Sequence, residues 1–248
     1  MLFNKKPLID LIKITPVLTF LFLINGLVNI AISSERVYVI HGYGSAPIFM
    51  AGIEKTLNQN GFTARNLGYN SLGNDLLVIG KDLYELVKKE NKKGEQVCFV
   101  THSMGGLVVR SMLRYAEKDT DFPKIARIVM LTPPNKGAEI ADFFANIAVL
   151  QWILGPNIQH LRTDSSSLAN NLPAIPKSTE LGIIVGAKFD GKGYNPLIKG
   201  DNDGFLSIDK TQLKTGKEYI TVPEAHMMII QDRNIQNRIV GFLQKGYF

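Results

Sequence analysis

The stretch from Gln96 to Glu117 constrains the fold more than any other part of the chain. Gln96 to Thr101 (QVCFVT) is an apolar run rich in strand formers, and Met104 to Glu117 continues with apolar residues at helical spacing. Between them lies Thr101-His102-Ser103-Met104-Gly105-Gly106. A chain that leaves a strand, turns at a serine and enters a helix at once must bend sharply, with the serine backbone strained. Residues two positions from the serine must then be small. Gly105 meets that demand, and Thr101 stands where the usual pattern has Gly. Gly106 lets the helix pack close to the sheet. The helix N-terminus behind Ser103 offers backbone N–H groups to a developing negative charge. Strand, serine turn and helix together are the setting of a serine nucleophile.

The flanking sequence alternates in the same way. Arg36 to His41 reads as a strand, Pro47 to Asn60 as a helix closed by Gly61, and Thr63 to Leu67 as a weak strand. Asn74 is placed to cap a helix running to about Lys89, with Leu76, Ile79, Leu83, Leu86 and Val87 on one face. Ala126 to Leu131, Leu181 to Ala187 and Glu218 to Val222 read as strands, and Gln231 to Phe242 as a closing amphipathic helix. Strands alternating with helices predict an α/β fold, a mainly parallel sheet with helices on both faces. The stretch 132–180 is too long for a plain connection, and a small helical cap inserted over about 135–180 is expected. Its residues Phe143, Phe144, Ile147, Val149, Leu150, Trp152, Ile153 and Leu154 suit either a lipid-facing surface or packing onto the core.

A serine nucleophile needs a base, an acid and donors for an oxyanion. His41-Gly42-Tyr43-Gly44 follows the first strand, so the Tyr43 and Met104 N–H groups are the candidate oxyanion hole. Of four histidines, His41 and His102 lie in the two turns and His160 in the cap. His226 alone follows the last strand, which makes it the base by chain order and by position. The acid must orient that imidazole. Asp190, Asp201, Asp203 and Asp209 all follow the 181–187 strand, with Asp190 nearest the strand end and Asp203 in a tight Asn-Asp-Gly turn.

These residues resemble the bacterial lipase and esterase branch of the α/β-hydrolases, related to serine esterases that remodel lipids. The resemblance runs from about Arg36 to the C-terminus. It rests on HGYG (41–44), THSMGGLVVR (101–110), LTPPNKGAEIAD (131–142), NDGFLS (202–207) and His226. It implies an α/β-hydrolase fold with a lid after Thr132-Pro133-Pro134, and it implies that Asp203 is the triad acid. Thr101 in place of Gly or Ala, and Pro134 where relatives often have His, are departures from the pattern. The expected activity is hydrolysis of a carboxylic, lipid-like ester through Ser103, His226 and Asp203. An acyltransferase with the same triad, or an inactive hydrolase-fold binding protein, is the alternative. No cofactor is expected.

Composition narrows the partners. The chain has 248 residues, 45% hydrophobic, enough for one sizeable core. Its net charge of +6 is scattered, with no long basic run after the first residues and no zinc-like or RNA-binding pattern. That argues against nucleic acid and leaves an ester substrate and a membrane surface. Gly186 to Gly193 nearly spells a phosphate-binding loop but has Gly193 where Ser or Thr belongs. Asp201-Asn202-Asp203-Gly204 looks like part of a calcium loop, but Lys199 breaks the spacing. No metal ligands are expected. Cys98, the one cysteine, sits in an apolar run and reads as a buried thiol. At the N-terminus, Lys5, Lys6 and Lys13 precede an uncharged run from Ile14 to Ile32, with Ala31-Ile32-Ser33 small enough for signal-peptidase cleavage. Residues 1–33 are therefore expected to be a secretory signal or an uncleaved membrane anchor. A buried helix of the fold is the rival reading. The domain proper is expected over 34–248, outside the cytoplasm or anchored to a membrane.

Overall fold

The computed structural model describes residues 35–147 and 152–248. The expected signal or anchor over 1–33 lies outside the described residues. Among the described residues six strands form a single sheet: β1 (Arg36–Ile40), β2 (Thr63–Leu67), β3 (Gln96–His102), β4 (Lys124–Leu131), β5 (Glu180–Gly186) and β6 (Glu218–Val222). All neighbours are parallel, in the order β2-β1-β3-β4-β5-β6. The direction of winding reverses between β1 and β3, and the crevice beyond their carboxyl ends is where an open parallel sheet binds ligands.

Both faces of the sheet are covered, so the central strands are apolar throughout rather than alternating with polar residues. On β1 and β3, Tyr38 and Phe99 face α2 (Leu76–Glu90) and α3 (Gly105–Ala116), where Leu83, Leu107 and Met112 meet them. Val37, Val39, Cys98 and Val100 face the other way, toward α1 (Pro47–Gln59) and α7 (Arg233–Lys245). Cys98 is fully buried and its thiol donates to Glu35. The residue that caps α2 is Asp75, whose Oδ1 accepts the Leu77 N–H, and not Asn74 as the sequence suggests. Asn74 instead closes the preceding turn, donating its N–H to Asn70. α7 starts at the Asp232 cap and ends at Gly246 (φ 81°), a left-handed closure that favours glycine.

Between β4 and β5 the described residues include the short helices α4 (Glu139–Ala145), α5 (Asn157–His160) and α6 (Leu168–Asn171). Arg110 on α3 fastens this stretch to the core. Its guanidinium is buried and donates to the carbonyls of Asn135, Ala169, Leu172 and Pro173. The rigid fork of donors suits a cage of carbonyls without a carboxylate partner. Asn157 fastens the other end, accepting the Leu76 N–H and donating to Ser71 and Asn74. The apolar cap residues divide. Phe144 and Leu154 pack on the core, whereas Phe143, Trp152 and Ile153 are 56%, 87% and 57% exposed; Val149 and Leu150 lie outside the described residues.

Candidate active site

The turn at Ser103 has the geometry that its sequence demands. Ser103 sits at φ 53°, a left-handed conformation that a non-glycine residue rarely adopts and that costs about 1–3 kcal/mol. Its N–H donates to Leu131 on β4, which pins the turn to the sheet. A Cβ on Gly105 would lie 2.5 Å from the Ile40 carbonyl oxygen, so only glycine fits two residues after the serine. Thr101, two residues before it, is wholly buried near the end of β3. Gly42 matters as much as Gly105. A Cβ there would come within 2.8 Å of Ser103 Cβ and 3.2 Å of His102 Nδ1. The HGYG turn thus lies directly against the serine. Among the described residues, neither the Tyr43 nor the Met104 N–H is taken by a carbonyl, and both turns end on the same crevice.

His226 follows β6 in the loop over the sheet end and is 3% exposed. Its Nδ1 is 2.6 Å from Asp203 Oδ2, and its N–H donates to the Asp203 carbonyl at 2.8 Å. Asp203 is 1% exposed. Burial alone would push its carboxyl up, but His226, the Thr132 hydroxyl and the Phe205 N–H together hold it below the usual carboxylate range. The other carboxylate oxygen accepts N–H bonds from Phe205 and Leu206. Asp203 therefore stays ionised with both oxygens occupied, and His226 Nδ1 carries its proton toward it. The lone pair left on the imidazole is at Nε2.

The other acidic candidates are elsewhere. Asp190 is exposed and binds Lys188 and the Lys192 and Gly193 N–H groups. Asp201 accepts from the Lys188 N–H, and Asp209 lies exposed in a short 3₁₀ turn. The turn that carries Asp203 inward is built around Asn202, whose amide donates to the carbonyls of Lys192, Asn195, Ile198 and Gly200. Of the remaining histidines, His160 pairs with Asp75 away from the site. His41 stacks on Tyr69 and donates from Nδ1 to the Gly42 carbonyl, bracing the HGYG turn.

Three residues around His226 make contacts that sequence reasoning did not anticipate. Thr132, just past β4, donates its hydroxyl to Asp203 Oδ2. His102 donates from Nε2 to the His226 carbonyl at 2.9 Å. Its complete burial pushes it down to about 3, so it remains neutral beside His226. Phe205 stacks on the His226 ring, with centroids 4.6 Å apart and planes at 17°. Each lies inside a quoted motif, where neighbouring residues drew the attention.

Ser103 and His226 open onto a common apolar cavity of about 130 Å³. Tyr43, Ile140, Phe144 and Leu154 line it, so the segment between β4 and β5 forms one of its walls. The Tyr43 hydroxyl donates to the Leu154 carbonyl, joining the HGYG turn to that wall.

Known proteins share this architecture. Residues 74–153 match the family model of the PGAP1-like alpha/beta domain. Protein SERAC1 of Danio rerio is 29% identical over 127 residues, an alignment that covers 46% of this chain and 19% of that protein. The lipase BlEst2 of Bacillus licheniformis in its mature form superposes with a TM-score of 0.61 at 18% identity, covering 88% of this chain and 94% of that one. A metagenomic carboxyl esterase, MGS0156, superposes with a TM-score of 0.62 at 13% identity, covering 80% and 66%. The six-stranded parallel sheet, the serine turn and these likenesses give the chain the α/β-hydrolase fold.

Proposed function

We propose that the protein is a serine hydrolase of carboxylic, lipid-like esters. The observation that carries the reading is the buried His226–Asp203 pair, 2.6 Å apart, whose histidine shares an apolar cavity with a strained serine. In the first half-reaction His226 Nε2 takes the Ser103 hydroxyl proton and Ser103 Oγ attacks the ester carbonyl carbon. The carbonyl oxygen becomes an oxyanion held by the Tyr43 and Met104 N–H groups. Asp203 stabilises the imidazolium without taking its proton. The tetrahedral intermediate collapses, His226 protonates the leaving alkoxide, and an acyl-Ser103 remains. Water then attacks that acyl group, giving up a proton to His226, and the acid departs as Ser103 recovers its proton.

The lipid-like substrate is inferred from the apolar cavity, from the exposed Phe143, Trp152 and Ile153 on the cap, and from likeness to a protein named as a lipase. The cap is read as a lid over the acyl site. We further propose export, or anchoring at a membrane, through residues 1–33. The decisive test is hydrolysis of p-nitrophenyl esters of increasing chain length by purified protein, with Ser103→Ala as control. The reading expects turnover and fluorophosphonate labelling, both lost in the alanine variant, with turnover down on the order of 10⁶-fold. Undiminished labelling of Ser103→Ala would refute it.

A further inference from the structure

The acid and the backbone contacts account for where His226 sits, but they leave the face of its ring to be explained. That face is covered by an aromatic side chain. Phe205 lies two residues beyond Asp203, and the carboxylate that receives His226 Nδ1 at one oxygen receives the Phe205 N–H at the other. The acid thus fixes both the imidazole and the backbone of the residue that stacks on it. The rings are nearly parallel, with centroids 4.6 Å apart. Phe205 is 43% exposed and lines the cavity, so it is not a core residue that meets the histidine by accident of packing.

Resting on the proposed triad, we propose that Phe205 is a positioning residue for His226, presenting its π-face to the imidazolium that forms when Ser103 gives up its proton. An aromatic ring carries negative charge on its face, and a cation within about 6 Å of the centroid is attracted to it. The neutral imidazole gains much less, so the stack favours the protonated ring that the reaction creates. The ionisable groups around the ring are few. Asp203 is on Nδ1, with Tyr219 behind it, and His102 lies beside the ring at 4.9 Å between centroids, with His41 behind. His102 is neutral, so it does not oppose a positive charge on His226. Asp203 supplies the counter-charge in the plane of the ring, and Phe205 supplies attraction on its face.

The sign of one titration separates this role from plain covering. If Phe205 only keeps water off the imidazole, its removal relieves desolvation and the His226 midpoint rises. If its π-face stabilises the cation, the midpoint falls. The experiment is titration of His226 by NMR in the full-length protein labelled at histidine, comparing wild type, Phe205→Leu and Phe205→Trp. The Leu variant is expected to lower the midpoint by about half a pH unit, and the Trp variant to match or exceed wild type, because indole binds cations best. The acid limb of kcat/KM should move with the midpoint, with Trp restoring what Leu loses. A midpoint that rises or stays put in the Leu variant, or that falls in the Trp variant, would overturn the assignment. The Trp variant alone decides the matter should the Leu variant not fold. The NMR midpoint does not depend on turnover, so an inactive protein would sink the esterase reading while leaving this test intact.

Discussion

Thr132 offers the sharpest test of how Asp203 is held. Its hydroxyl donates to the same Asp203 oxygen that receives His226, while its backbone lies at φ 44°, a conformation that is a genuine outlier for a β-branched residue. Thr132→Val keeps the branching and the strain but deletes the donor. A hydrogen bond to a buried charged group contributes about 1.5–3 kcal/mol. In a domain of about 150–250 residues each kcal/mol moves Tm by about 2–4 °C, so a fall of about 3–12 °C is expected. Thr132→Ser keeps the donor and relieves the branching, and its Tm should equal or exceed that of wild type. The pH dependence has a defined sign. Asp203 is held below its usual range in the folded protein, so its contribution to stability is complete above about pH 4 and is lost as pH falls through the folded value. Removing a donor brings the folded value nearer the unfolded one. The gap between wild type and Val should therefore be widest near neutrality and close in acid. Thermal melts by circular dichroism at a series of pH values measure this. A Val variant as stable as Ser at pH 7 would show that the hydroxyl does not support the carboxylate.

Other perturbations separate the parts of the site. Asp203→Asn should cost roughly 10⁴ in turnover, while Asp190→Asn, exposed and paired with Lys188, should stay within about twofold in the same ester assay. Gly42→Ala places a methyl 2.8 Å from Ser103 Cβ, so it should destabilise by about 1–3 kcal/mol in urea unfolding and slow acylation of the serine. Replacing the exposed Trp152 and Ile153 with Ser should impair long-chain esters more than short ones, and equal effects would argue against a lipid-facing lid. Deleting residues 1–33 should leave a folded, active and more soluble enzyme, since β1 starts at Arg36; loss of the cooperative melt would make the segment part of the fold.

The parts of this molecule that were legible in the sequence are those set by local pattern. The strand-turn-helix around Ser103 was readable because strand, small residues and helix follow one another without a gap, and the structure has β3, the turn and α3 within a residue or two of the expected limits. The alternation of elements led to the parallel sheet for the same reason. The acid was different. Distance along the chain favoured Asp190, which in the structure turns outward to Lys188, whereas Asp203 is carried back by the loop folded around Asn202. No short-range rule describes that closure; the tight Asn-Asp-Gly turn made Asp203 a candidate, and resemblance to a family decided for it. The contacts of Thr132, His102 and Phe205 were not legible because their partners lie 71, 124 and about 20 residues away in the chain. The cap was legible as a long insertion, but not its fastening by Arg110 and Asn157, which depends on where carbonyls converge in space.

The strain in the fold is distributed with some order. Among the described residues, three that are not glycine have positive φ: Ser103, Thr132 and Phe189. Phe189 is exposed in the loop after β5. The other two stand at the carboxyl ends of adjacent strands, and each donates its N–H across to the next strand: Ser103 to Leu131 on β4, and Thr132 to Ile184 on β5. The two bonds extend the sheet to the point where each chain turns away. They help hold the serine and the threonine in a conformation that costs about 1–3 kcal/mol. With them, the rigidity of the sheet passes directly to the Ser103 side chain and to the hydroxyl that holds Asp203. The sheet end therefore does more than display a serine. It fixes Ser103 and, through Thr132 and Asp203, His226 from two neighbouring strands, so their relative placement is set by a strand spacing of about 4.8 Å rather than by flexible loops.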